Sequence, residues 1–148
     1  DLGIGAKVAL RGAAAPWKAA VGGTVTLPTG STGPSAEDPT ASLVLIAERA
    51  LPRGTGIAFN VGYGRRLAGG DDGTLSLLVT PTFPIPGVDG VGGYVGYAGA
   101  FREGRDAHVV EWGVAWTDGP DLQWDVNAGY DPRSNDWFLG AGVAVRRR

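Results

Sequence analysis

The chain has 148 residues, enough for one domain, with 26 glycines, no cysteine and a formal net charge of −2. A balance so near neutral leaves no electrostatic footprint for nucleic acid, and a chain without cysteine has no disulfide framework. No run of about 18 apolar residues exists, so no transmembrane helix is expected, and the hydrophobic period along the chain is two rather than 3.6.

That alternation recurs through nine segments, each read as a strand with one greasy and one polar or small face. Residues 1–11 set Leu2, Ile4, Val8 and Leu10 against Gly3, Gly5, Lys7 and Arg11. Residues 17–27 set Trp17, Val21, Val25 and Leu27 against Lys18, Gly22, Thr24 and Thr26. In residues 40–51 the apolar run Leu43 to Ala47 shows no alternation; a strand is still expected, with Glu48 on the polar face and Arg49 at the end of the apolar one, where it could snorkel to an interface. Residues 56–66 set Ile57, Phe59, Val61 and Tyr63 against Asn60, Gly62, Gly64 and Arg66, and residues 74–84 set Leu75, Leu77, Val79 and Phe83 against Ser76, Thr80 and Thr82. Residues 91–102 set Val91, Val95, Tyr97 and Phe101 against Gly92, Tyr94, Gly96, Ala98 and Arg102. Residues 108–116 set His108, Val110, Trp112, Val114 and Trp116 against Val109, Glu111, Gly113 and Ala115. Residues 122–130 set Leu122, Trp124, Val126 and Tyr130 against Gln123, Asp125, Asn127 and Gly129; residues 137–146 set Trp137, Leu139, Val143 and Val145 against Phe138, Gly140, Gly142 and Arg146.

Turn signals rich in Gly, Pro, Asp and Asn separate the segments, which is the spacing of an up-and-down antiparallel meander in one domain spanning residues 1–148. Two architectures share the pattern. A soluble secreted barrel that binds an apolar ligand would turn the greasy face inward and carry abundant Lys and Glu outside. Here the other face is mostly Gly, Ala, Ser, Thr and Asn, which suits a lumen. Rings also fall at strand ends (Trp17, Tyr63, Phe83, Phe101, Trp116, Tyr130 and Trp137), as in the aromatic girdles of membrane barrels. The expected fold is therefore an all-β, antiparallel transmembrane barrel.

Bacterial outer-membrane barrels have even strand numbers and short periplasmic turns. Placing PTGSTGPSAEDP and AGGDDG outside and LPRG inside sends both the first and the ninth strand inward. An odd number of strands is then expected before Asp1, making the chain the C-terminal part of a barrel of roughly 12 strands, without its N-terminal strands and signal peptide.

The inward polar side chains form the candidate site. Lys7, Lys18, Glu48, Asn60 and Arg66 come from the first half, and Arg102, Glu111, Gln123, Asp125 and Asn127 from the second. Their functional reading is a lumen of mixed sign that selects what passes. The plainer reading, which is favoured, is that the charges pair across strands and satisfy one another. Glu111 and Asp125 lie on neighbouring strands, but no nucleophile accompanies them, so no enzyme is expected. His108 falls on the apolar face, where an interfacial role fits better than a base. Asp71–Asp72 and the loop 131–136 lack the spacing of a calcium loop, and the Gly90–Gly93 cluster precedes no helix, so neither a metal nor a dinucleotide cofactor is expected.

Several segments together carry a family likeness: DLGIGAKVAL, TLPTGS, SLVLIAERAL, GIAFNVGYG and DLQWDVNAGYDPRSNDWFLGAGVAVRR. In order and spacing, over nearly the whole chain, they resemble the outer-membrane transporter family of the MetA pathway of phenol degradation. The most specific part is a D-x-x-x-G-Y strand, a short loop and a W-F-x-G-x-G-V strand. The resemblance implies a Gram-negative outer-membrane location, the lipid bilayer as partner, and passage of a small-molecule cargo that includes hydrophobic or aromatic compounds. One departure is the ending Arg146–Arg147–Arg148, where many outer-membrane strands close on an aromatic residue.

Overall fold

The structure is a computed structural model and describes residues 1–10, 16–30, 38–68 and 73–146. Nine strands follow one another: β1 (Leu2–Ala9), β2 (Trp17–Leu27), β3 (Thr40–Ala50), β4 (Gly56–Arg66), β5 (Thr74–Pro84), β6 (Val91–Phe101), β7 (Ala107–Asp118), β8 (Leu122–Asp131) and β9 (Asp136–Val145). Each pairs antiparallel with the next, and the spatial order equals the sequence order. This is the meander that the turn spacing predicts, with strand bounds within two residues of those read from alternation. The sheet is not closed. After eight reversals β1 and β9 run in the same direction, so antiparallel closure would take an odd number of further strands between them.

Local chemistry accounts for the punctuation. Between β3 and β4, Arg53 (φ 61°) and Gly54 (φ 74°) take left-handed conformations in a single 3-10 turn over Pro52–Gly54. Between β8 and β9, Asn135 is also left-handed (φ 60°), a region that Asn tolerates. The Asp131 carboxylate there accepts the backbone N–H groups of Arg133 (2.8 Å) and Ser134 (3.4 Å), an Asx turn. Both bonds fall on Oδ1, which serves the turn. Asp71 and Asp72 lie outside the described residues. Pro81 sits inside β5 and cannot donate to a ladder; the β5–β6 pairing runs from Leu75 to Val79 and resumes at Thr82.

Register places directly opposed residues on one face, so two continuous faces can be followed across the sheet. One carries the large apolar side chains, and there is no apolar core beneath them. Among the described residues no hydrophobic side chain is buried; Leu139 is 86% exposed, Ile4 66% and Trp137 65%. The buried residues are all glycines: Gly22, Gly62, Gly73, Gly93, Gly96, Gly99, Gly113 and Gly129.

The polar face is the concave one. A cavity of about 420 Å³ is lined by Val44 of β3, Asn60 of β4, Ser76 and Leu78 of β5, Ala98 and Ala100 of β6, and Ala107 and Val109 of β7, side chains that all share that face. Strands lie about 4.8 Å apart, and a hollow spanning five of them, on the face where Gly22, Gly62, Gly96, Gly113 and Gly129 are buried while the opposite side chains stand exposed, marks the inner side of a curved sheet. Cavities lined by Ser42, Gly64 and Thr74, and by Lys18, Glu48 and Ala58, open on the same face.

On the convex face rings gather toward both ends of the strands. Trp17, Phe83, Trp116 and Trp124 lie toward one end, and Tyr63, Phe101, Tyr130 and Trp137 toward the other. Trp17 packs near Phe59 (centroids 6.1 Å), and the Arg49 guanidinium lies 5.6 Å from the Trp17 ring centre, a cation–π contact at the position where snorkelling is expected. At the opposite end Trp137 contacts Tyr130 (4.5 Å) and Trp112 (5.9 Å). His108 lies within hydrogen-bond distance of the Tyr97 hydroxyl through Nδ1 (2.8 Å) and meets Phe101 edge-on (5.7 Å). It belongs to this aromatic cluster, away from the polar face.

Candidate functional site

The concave face holds the polar residues singled out by alternation except Arg102, which was expected at the end of the sixth strand and lies instead in the turn after it. Lys7 faces Gly22 across β1–β2. Lys18 and Glu48 are directly opposed on β2 and β3 and form an ion pair at 3.3 Å. Both side chains are more than half exposed, so the pair contributes at most about 1 kcal/mol. It follows the cross-strand pairing expected of the charges rather than a pair of free lumen groups. Arg66 ends β4 opposite Thr40, and Arg102 lies one residue beyond β6, in the turn closed by the Arg105 N–H donating to the Arg102 carbonyl (2.8 Å).

Glu111, Gln123, Asp125 and Asn127 come from β7 and β8. Glu111 is opposed to Gly96 and Gly129, and Asp125 to Ala115 and Gly142. The two carboxylates are therefore not opposed. They stand four residues apart along the ladder, about 13 Å at 3.3 Å per residue, which is too far to share a proton or a substrate atom. Gln123 is exposed near the start of β8, opposite Thr117. Asn127 lies between Gly113 and Gly140 and donates through Nδ2 to the Tyr94 hydroxyl at 3.4 Å.

The glycines explain how these side chains are held. A Cβ on Gly96 would meet Glu111 Cγ and Oε1 at 3.0 Å, and one on Gly142 would meet Asp125 Oδ1 at 2.8 Å. A Cβ on Gly113 would lie 2.5 Å from the Tyr94 ring, and one on Gly129 would run into the Phe138 ring. Each large or charged side chain therefore lies flat over a glycine of the neighbouring strand rather than projecting into the hollow. The high glycine content serves this close approach and keeps the concave face shallow.

Alternation places Tyr94 and Phe138 on the polar face but gives no reason to count them as site residues. The signal was the juxtaposition of a ring on one strand with glycines on the next. The larger omission is Val44, Ile46 and Leu78, aliphatic side chains on the concave face. The unalternating run Leu43 to Ala47 marks two of them. Asn60 sits among them, opposed to Ile46 and Leu78. Among the described residues no three His, Asp or Glu side chains converge as metal ligands would.

No curated protein and no solved structure matches this chain. The model of one family, described as putative MetA-pathway of phenol degradation, matches residues 1–146, from the first residue to one past the end of β9. The match covers nearly the whole chain, and the chain belongs to the family of the putative MetA-pathway of phenol degradation.

Proposed function

We propose that the chain forms the wall of an outer-membrane channel through which small molecules pass without chemical change. The supporting observation is the combination of a convex face on which no described apolar side chain is buried with a concave face of mainly small and polar residues. In water, a nine-stranded sheet with its apolar side chains exposed lacks the burial that folding requires. Against hydrocarbon chains the same face is at no disadvantage, and the sheet needs no core of its own. Rings toward both strand ends sit where headgroups begin. The β2–β3 and β4–β5 connections leave from strand ends at one side of the sheet, and the shorter β3–β4 and β7–β8 turns join strands at the other, as expected if the former face the exterior.

In this reading the bilayer is the partner of the convex face, and selection falls to the concave one. Glu111, Asp125 and Asn127 line one flank, the aliphatic group around Asn60 the other. In this reading solutes diffuse past these walls, which set size and polarity. The test is passage itself. Liposomes reconstituted with the protein should swell faster in isotonic arabinose than protein-free liposomes. Equal rates, with the protein shown by protease protection to be inserted, would remove the channel reading.

A further inference from the structure

The concave face is polar except in one place. Two register rows cross it side by side: Val44, Gly62, Ser76 and Ala100 in one, and Ile46, Asn60, Leu78 and Ala98 in the other. Val109 extends the second row onto β7. Gly62 leaves a gap between Val44 and Ser76, and the alanines of β6 keep the floor low. The result is the hollow of about 420 Å³ described above, within the range of small-ligand sites. No charged side chain lines it, whereas the neighbouring cavity toward the β3–β4 turn is lined by Lys18, Glu48 and Arg49. Half-buried aliphatic groups in a wet concavity are unfavourable by about 25 cal/mol per Å² left to water.

A second observation points to an occupant. The Asn60 side-chain amide has two donors and an acceptor, and it forms no hydrogen bond among the described residues, although it is half-buried between Ile46 and Leu78. Asn127, the corresponding amide on the other flank, is engaged by Tyr94. The Asn60 amide atoms are open to the hollow, since no buried side-chain polar atom among the described residues lacks a partner, and there a ligand group can replace water as their partner.

We propose that Val44, Asn60, Ser76, Leu78, Ala98 and Val109 form a binding site for one small, uncharged, mainly hydrocarbon molecule carrying a single hydrogen-bonding group. The site rests on the reading of the concave face as a lumen, and it gives that lumen a greasy station midway along the strands. Walls made of Val, Leu and Ala side chains set size and apolarity without demanding a flat ring. Asn60 sets orientation. A charged analogue is rejected because no counter-ion lines the hollow.

The experiment uses the full chain in detergent micelles, with labelled Val and Leu methyls, titrated with cyclohexanol, methylcyclohexane and cyclohexanecarboxylate. Cyclohexanol should shift the Leu78 and Val109 methyls saturably and leave Leu43, on the convex face, with only the weak linear drift of partitioning. Asn60→Leu should weaken cyclohexanol about five- to tenfold and leave methylcyclohexane unchanged, the effect of losing one hydrogen bond. Val109→Thr, which alters the wall and not the amide, should weaken both ligands. Drift without saturation at Leu78 and Val109 would overturn the site. So would an affinity for the carboxylate equal to that for the alcohol, or a folded Asn60→Leu protein that binds cyclohexanol as well as before. Swelling of liposomes without saturable shifts would remove this site and leave passage standing. Saturable shifts in a protein that passes no solute would do the reverse.

Discussion

Gly129 has Tyr130 and Ala128 as neighbours in an ordinary strand, and nothing in that stretch says why a glycine is needed. The reason lies on β9, where the Phe138 ring occupies the space that a Cβ would take. Gly113 beneath Tyr94 and Gly96 beside Glu111 repeat the arrangement. Gly23, on the convex face, differs: a Cβ there would meet only the Ser42 carbonyl oxygen at 3.7 Å, an ordinary contact. Gly129→Ala should therefore lose about 1–3 kcal/mol from overpacking, while Gly23→Ala should be neutral or slightly stabilising, because glycine weakens a strand interior. Urea unfolding in micelles measures both, and equal effects at the two positions would refute the ring-over-glycine account. Residue identity along the strands was legible in the sequence. The partner of each glycine was not, because it sits on another strand at a register that local alternation does not contain.

At the scale of the element, β3 is the informative strand. Its alternation fails in sequence because both faces are apolar over Leu43 to Ala47, and the ladder sorts them: Leu43, Leu45 and Ala47 lie on the convex face, Val44 and Ile46 on the concave one. The apolar run was visible, but its division between the convex and concave faces follows only from pairing with β2 and β4. Leu45, the middle residue of β3 and 48% exposed, faces outward between Val21 and Val61. Leu45→Arg should cost about 2–4 kcal/mol for the protein folded in lipid vesicles, the penalty for a cation near the bilayer midplane. Gln123→Arg, on the concave face, should leave stability within about 0.5 kcal/mol, as surface substitutions do. Tryptophan emission against urea reads both. If Leu45→Arg proved as harmless as Gln123→Arg, the convex face would not be in hydrocarbon.

For the whole molecule, the decisive quantity is the absence of buried hydrophobic side chains among the described residues. A sheet built this way should stay unfolded or aggregate in aqueous buffer and gain β-structure with blue-shifted tryptophan emission on adding detergent. Circular dichroism and emission in the two media test it. Full folding in buffer, with no change on adding detergent, would mean that the convex face closes on itself as a core, and the soluble ligand-binding barrel would replace the membrane one.

The sequence by itself determined the strands, their order and their two faces, because side-chain direction in a strand has a period of two and tight turns select Gly, Pro, Asp and Asn. It also carried the family likeness, which lies in the order and spacing of local segments. What only the tertiary structure decided was which residues meet: the Lys18–Glu48 pair, the separation of Glu111 from Asp125, the rings laid over glycines and the aliphatic hollow around Asn60. Curvature belongs to the same class. Alternation sorts side chains into two faces and composition points the small, polar one inward, but the curvature itself emerges only when nine strands are laid edge to edge.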